Sequence, residues 1–390
     1  MKGTKHLVLL DNAGIRPHFP AVDAMLYLDA AHQTPLSGPV RARLDAFYDE
    51  AQFTAGPKSR WLKRIEEVRA QLAALLGVAP AAVAFTKNTS EGLNIAARGL
   101  SWKPGDNVVL LESEHPNNAY AWLSQRPGGL EVRQIPEDKK WADAATFAPY
   151  VDDRTRAIAI SHVMFHSGQR NDIAGIVELA RAAGALVVLD AMQSVGVFPV
   201  HAGELGVAAL AAGSHKGLLV PQGLGFLCTT APADVLAPTY VATAGVANAR
   251  ADLVAGPEAV ELWPNAYRFE IGNFNLPAIH ALGGALDLIS STGLPAIAEH
   301  VLSLGDRLIE HLDSLGIELV GPREREHRSH IYVLDLHDDG WPAFLADAGV
   351  RLSPVRGGLR ASFGLYNTGA DVDRLAEVLA HGRRALRTAP

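Results

Sequence analysis

Ala185-Leu186-Val187-Val188-Leu189-Asp190, followed at once by Ala191-Met192-Gln193-Ser194-Val195-Gly196, is the stretch whose reading decides the fold. An apolar run of this length, set between Gly184 and a small-residue turn, predicts a strand buried on both faces. It ends on a carboxylate. In open α/β sheets the crevice beyond the carboxyl ends of the strands is where ligands bind, so Asp190 is a candidate site residue, although strand-end aspartates also occur where nothing binds. Upstream, residues 176–183 carry a helical apolar pattern that stops near Gly184, and residues 157–162 form another apolar strand. Residues 107–111 read as a third strand, and 223–228 as one more behind the Pro/Gly-rich turn at 221–223. Alternation of this kind predicts a mostly parallel sheet covered by helices.

After about Phe274 the character changes. Residues 277–291 and 294–315 show helical periodicity, with Gly293 and Gly316 as breaks. Then come a strand (330–336), a helix (341–348), a strand (359–365) and a helix (371–381), which together read as a smaller α+β domain. The division expected is an N-terminal segment 1–25, a large domain 26–274 and a small C-terminal domain 275–390. No internal repeat or low-complexity segment is present.

Hydrophobic residues make up 48% of the 390 positions, enough to bury a sizeable core. A formal net charge of -7 argues against a dedicated nucleic-acid binder, and the mixed charges of 323–328 read as a solvated loop. The lone cysteine, Cys228, can form neither an internal disulfide nor a cysteine metal site, and suits a reducing compartment. The apolar patch at 7–10 is too short for a signal-peptide core, and no uncharged apolar run reaches membrane-spanning length. The expectation is a cytoplasmic protein that binds no nucleic acid, membrane or metal.

Three further places carry candidate chemistry. In Gly213-Ser214-His215-Lys216-Gly217, Lys216 is either a solvated turn lysine or an amine held in a pocket to attack an aldehyde. In Phe85-Thr86-Lys87-Asn88-Thr89-Ser90-Glu91-Gly92-Leu93-Asn94, Thr89 and Ser90 stand where a helix begins. Free backbone N–H groups and two hydroxyls there suit a phosphate, and the same residues also make an ordinary helix start. In Glu112-Ser113-Glu114-His115-Pro116-Asn117-Asn118, His115 either stacks on a flat ring or is a loop residue.

Taken together, the order and spacing of these motifs resemble the class V branch of the fold-type I pyridoxal-phosphate (PLP) enzymes. That branch includes cysteine desulfurases, selenocysteine lyases, isopenicillin N epimerase-like proteins and, more distantly, kynureninases. The likeness runs from Tyr27-Leu28-Asp29 to the stretch that opens Leu359-Arg360-Ala361-Ser362. It implies an α/β, fold-type I PLP-dependent transferase whose large domain holds a mostly parallel seven-stranded sheet. It implies pyridoxal 5'-phosphate as cofactor and an amino acid as the small-molecule substrate. Lys216 would hold the cofactor as an imine and move the Cα proton. Asp190 would pair with the ring nitrogen, Gln193 with the ring oxygen, and His115 would stack on the ring. Thr89, Ser90 and His215 would bind the phosphate. Asn273 would reach the phosphate of a neighbouring subunit, making a homodimer with shared active sites. Arg360 would grip the substrate carboxylate with its planar fork.

Departures from the pattern bear on the reaction. Desulfurases carry a mobile cysteine near 350–358, and this chain has none there, so persulfide chemistry lacks a nucleophile. Phe165 stands near where many relatives place an asparagine, which leans towards the kynureninase-like pattern, and His166 or Arg170 would supply replacement contacts. His32 reads as an added acid or base, a substrate contact, or a half-buried polar residue. The leading expectation is β-elimination by a C–S lyase acting on an S-substituted cysteine, which needs only Lys216 as base and acid. Epimerisation would enlist His115, His32 or His166 as a second proton donor. Transamination, kynureninase-like hydrolysis and a non-catalytic regulator are the remaining readings.

Overall fold

The computed structural model describes residues 10, 13–136, 141–252, 254–256 and 259–387. Of the N-terminal segment expected at 1–25, residues 1–9, 11 and 12 lie outside the described residues. The chain opens with α1 (Ala21–Ala24), β1 (Leu26–Tyr27), α2 (Gly38–Phe53), α3 (Lys58–Leu75), β2 (Val83–Thr86) and α4 (Thr89–Gly99). It continues with β3 (Asn107–Leu111), α5 (Pro116–Leu123), β4 (Glu131–Ile135), α6 (Ala144–Phe147), β5 (Thr155–Ser161), α7 (Ile173–Ala182) and β6 (Leu186–Asp190). Then follow α8 (Ala202–Leu205), β7 (Ala209–Gly213), β8 (Gly225–Thr229), α9 (Leu276–Thr292) and α10 (Leu294–Leu315). The chain ends with β9 (Ile331–Leu334), α11 (Trp341–Asp347), β10 (Val350–Arg351), β11 (Ser353–Val355), β12 (Gly358–Ser362) and α12 (Gly369–Arg387).

Among the described residues, seven strands form the main sheet in the order β2-β8-β7-β6-β5-β3-β4. Strand β8 runs antiparallel to both neighbours and every other pairing is parallel, as the sequence led one to expect. The central strands are apolar throughout because both faces are covered. Ile158, Ile160, Val187, Leu189 and Leu210 face a core shared with α3, α7 and α9. Ala157, Ala159, Val188, Ala209 and Ala211 face α4 and α5. The second face is lined by small residues, so α4 lies close to the sheet. A methyl group on Gly92 of that helix would stand 2.8 Å from the Ala211 Cβ.

A second, antiparallel sheet, β11-β12-β9, is covered by α10, α11 and α12 around Leu304, Leu308, Tyr332, Phe363 and Leu375. The packing moves both edges of the expected division. Helix α9 packs on α2 and α3 in the core of the main sheet, and Leu294 and Ile297 of α10 still join that core, so it runs past the expected edge at Phe274. Leu28 belongs to the second core, Leu26 packs against it and β1 pairs with β10, while the Tyr27 side chain packs on the main core.

A buried ion pair secures the segment 266–275. Arg69, 1% exposed, donates to Glu270 Oε1 at 2.6 Å and to the Val83 carbonyl at 2.8 Å. Glu270 in turn accepts the Phe85 N–H of β2 at 2.9 Å.

Candidate active site

The carboxyl ends of β3, β5, β6 and β7 and the start of α4 converge on a cavity of about 530 Å³. At α4, Asn88 is the N-cap, its side chain accepting the Glu91 N–H, so Thr89 and Ser90 supply the first-turn N–H groups and hydroxyls. The positive end of a helix facing a cavity favours an anion. Asp190 ends β6, buried, with Oδ1 accepting the Met192 N–H at 2.9 Å. Beyond β7 the chain turns through Ser214, His215 and Lys216. Leu219 in that turn is left-handed (φ 60°), a conformation that costs a side-chain-bearing residue about 1 kcal/mol or more and that surrounding contacts must hold. The Leu219 N–H donates to the Lys216 carbonyl at 3.0 Å, and Thr34 Oγ1 donates to the same carbonyl at 2.7 Å. Two donors thereby fix the Lys216 backbone carbonyl.

Burial and the Arg360 charge push Lys216 down to about 8, partly offset by Asp190 and Asp29. A lysine so depressed carries a usable fraction of free amine at neutral pH. Burial raises Asp190, and the Met192 N–H and Lys216 oppose that rise. Burial and the Lys216 charge push His115 and His215 down to about 4, Arg360 also acting on His115 and His32 on His215. Both imidazoles are therefore neutral at physiological pH, which suits hydrogen bonding or stacking and not a cationic role.

Of the residues singled out in the sequence, Thr89, Ser90, His115, Phe165, Asp190, Gln193, His215 and Lys216 line this one cavity. His115 and Phe165 meet edge to face at 4.9 Å. Five others do not line it, among them Arg170, which donates to the Glu326 carbonyl. Arg360 is buried behind it, with Nη1 donating to the Phe165 carbonyl at 3.1 Å, Nη2 3.4 Å from Asp29, and Nε without a partner. His166 is buried against Phe165. His32 sits on an exposed turn, not half-buried as the sequence reading allowed, because Ala31 and not His32 faces inward there. Asn273 is exposed. Sequence reasoning missed Lys87, Asn117, Ser161 and Gln222, which also line the cavity. Of these, Ser161 was marked only by its place at the end of an apolar strand.

The sequence profile of class-V aminotransferases matches residues 26–375. The chain belongs to that family. An uncharacterized aminotransferase of Schizosaccharomyces pombe is 38% identical over 91% of this chain and 91% of its own length. A probable cysteine desulfurase of Methanothermobacter thermautotrophicus is 29% identical over 96% of this chain and 98% of its own. Among solved structures, the apo cysteine desulfurase from Thermococcus onnurineus NA1 superposes with a TM-score of 0.87 at 24% identity, covering 97% of this chain and 99% of that one. Family membership makes pyridoxal phosphate the cofactor. The cavity fits it. A helix N-terminus at the cavity suits a phosphate, a buried carboxylate suits the ring nitrogen, and a lysine with depressed proton affinity suits the aldehyde. Gln193 donates to the Ala31 carbonyl at 3.0 Å and leaves Oε1 buried without a partner at the cavity wall, an acceptor that a protonated hydroxyl on a bound ring would satisfy.

Proposed function

We propose that this PLP enzyme catalyses β-elimination from an S-substituted cysteine, releasing a thiol, pyruvate and ammonium, without forming a persulfide on the protein. The position of the one cysteine carries the reading. Cys228 lies inside β8, 1% exposed, paired in register with Val83 on one side and Leu210 on the other. Burial pushes its thiol up to about 12. A thiolate able to take sulfur from a substrate is thus absent, whereas elimination requires only one group that moves protons.

The family cofactor, when bound, draws electron density away from the substrate Cα. In this reading Thr89, Ser90 and the first N–H groups of α4 bind the phosphate, and neutral His215 adds a hydrogen bond. Asp190 holds a proton on the ring nitrogen, and Gln193 contacts the ring oxygen. Neutral His115 lies against the ring face without repelling it. The Lys216 Nζ removes the Cα proton. The Cβ–S bond then breaks, and the same nitrogen returns a proton to sulfur, so the leaving group departs as a neutral thiol. One water hydrolyses the three-carbon remainder to pyruvate and ammonium. Arg360, behind the cavity wall with its Nε unused, binds the substrate carboxylate once Phe165, whose carbonyl it now holds, moves aside. Exposed Asn273 completes the phosphate site of a second subunit, so the working unit is a homodimer.

The test is product analysis of the holoenzyme with a panel of S-substituted cysteines. The reading expects thiol and pyruvate in equal amounts, at the same rate in wild type and Cys228→Ala. Alanine accompanied by protein-bound persulfide, or loss of turnover in Cys228→Ala, would overturn it.

A further inference from the structure

Glu114 follows β3 and is 5% exposed, yet none of the roles above uses it. Its carboxylate receives three hydrogen bonds. The Ser161 N–H reaches Oε1 at 2.7 Å, and Ser161 Oγ and Asn118 Nδ2 reach Oε2 at 2.6 Å and 2.9 Å. All three partners donate, which suits an ionised acceptor. Ser161 ends β5, lines the cavity, and is paired in register with Asp190 at the end of β6. Asn118 lies in the first turn of α5, whose N-cap is His115. One carboxylate therefore ties the strand beside Asp190 to the turn that presents His115.

We propose that Glu114 is a positioning residue for the cofactor ring, fixing the His115 turn and adding a second buried negative charge beside Asp190 that strengthens the hold of the site on the cofactor's protons. The proposal rests on the PLP reading of the cavity and on the role given to Asp190. Like charge beside a carboxylate raises the proton affinity of whatever that carboxylate pairs with. Burial pushes Glu114 up to about 7, the Ser161 and Asn118 hydrogen bonds oppose this, and Asp190 adds to it. Asp190 is the charged group that faces it from β6. Ser161 on β5 and Asn118 on α5 are uncharged, and His162 and His115 beside them are held neutral at about 4 by burial. The second charge is present above about pH 7 and is lost as pH falls through that value.

Glu114→Gln removes the charge and keeps the contacts. The amide oxygen accepts the Ser161 N–H, and the amide nitrogen donates to Ser161 Oγ. Asn118 Oδ1, buried without a partner, turns to meet the same nitrogen. The readout is the visible absorbance of the bound cofactor titrated over roughly pH 5 to 10, together with the pH profile of kcat/KM. The expected result for Glu114→Gln is a cofactor midpoint about one pH unit lower, with the kcat/KM inflection near 7 abolished. Ser161→Ala, which removes one of the bonds that lower the Glu114 pKa, moves that inflection upward. A Gln variant whose midpoint and inflection equal those of wild type overturns the proposal while leaving the PLP reading intact, as does an unmoved inflection in Ser161→Ala. A wild-type protein that takes up no PLP overturns both.

Discussion

Alanine in place of Glu270 removes one half of a buried ion pair that holds the segment 266–275 against β2. Arg69 would keep Glu66, which bonds its Nε and Nη2 at 3.0–3.3 Å but through a side chain 55% exposed to solvent. Its guanidinium, 4.8 Å from the Phe85 ring and 4.6 Å from that of Tyr267, has no room to rehydrate, and the Phe85 N–H loses its acceptor. Stripping one partner from a buried pair costs about 3–5 kcal/mol. Glu66 places this case at the lower end, about 3 kcal/mol. With an unfolding entropy of about 2.1 cal/mol/K per residue over 390 residues, that is a fall in Tm of roughly 4 °C. Arg69→Met with Glu270→Leu removes both charges at similar volume but leaves the Phe85 N–H and the Val83 carbonyl without those partners, and should cost less than the single variant, about 2 kcal/mol or roughly 2 °C. Scanning calorimetry of the three proteins at one PLP concentration measures this directly. A single variant that falls by less than about 1 °C, or a double variant that falls further than the single, would refute the reasoning. Because β2 leads into Thr89, the single variant should also hold PLP less tightly.

Three further outcomes follow from the same structure. PLP uptake by the apoenzyme, followed by absorbance, should accelerate as pH rises through about 8 and then level off, since the neutral Lys216 amine is the nucleophile and its pKa is lowered from 10.5; a rate still climbing towards 10.5 would contradict the depressed value. Gly92→Ala, despite better helix propensity, should weaken PLP binding about tenfold by lifting α4 from Ala211, measured by fluorescence titration; unchanged affinity would show that the helix start is not set by this contact. Arg360→Lys should lower kcat/KM about 10- to 100-fold, mostly through KM, because an ammonium cannot offer the planar fork; an unaltered KM would remove Arg360 from the carboxylate site.

Much of the sheet was legible because burial on both faces writes a strand as an uninterrupted apolar run. Residues 107–111 came out as observed for that reason, and α10 did so because Gly293 and Gly316 mark its ends. Strand β4 carried no such signal, since its sequence, EVRQI, lies at the sheet edge and keeps charges in solvent. Helix α3 shows an inward face at Trp61, Ile65, Val68 and Leu72, but its many charged residues hid it. The misplaced boundary at 274 has a tertiary cause. The composition does change there, but α9 packs back onto α2, which local pattern cannot reveal. In the site, Lys216, Asp190 and His115 were visible as chemical residue types at strand ends. Glu114 was quoted beside His115 and passed over, because a glutamate reads as a surface residue until the fold buries it against Ser161.

The most direct test of the central claim is mass spectrometry of the holoenzyme reaction in heavy water with an S-substituted cysteine. The account expects free thiol and pyruvate carrying solvent deuterium, no sulfur retained on the protein, and no product from Lys216→Ala. Intact amino acid deuterated at Cα with no thiol released would contradict it in favour of epimerisation, and alanine with sulfur left on the protein would contradict it in favour of a desulfurase.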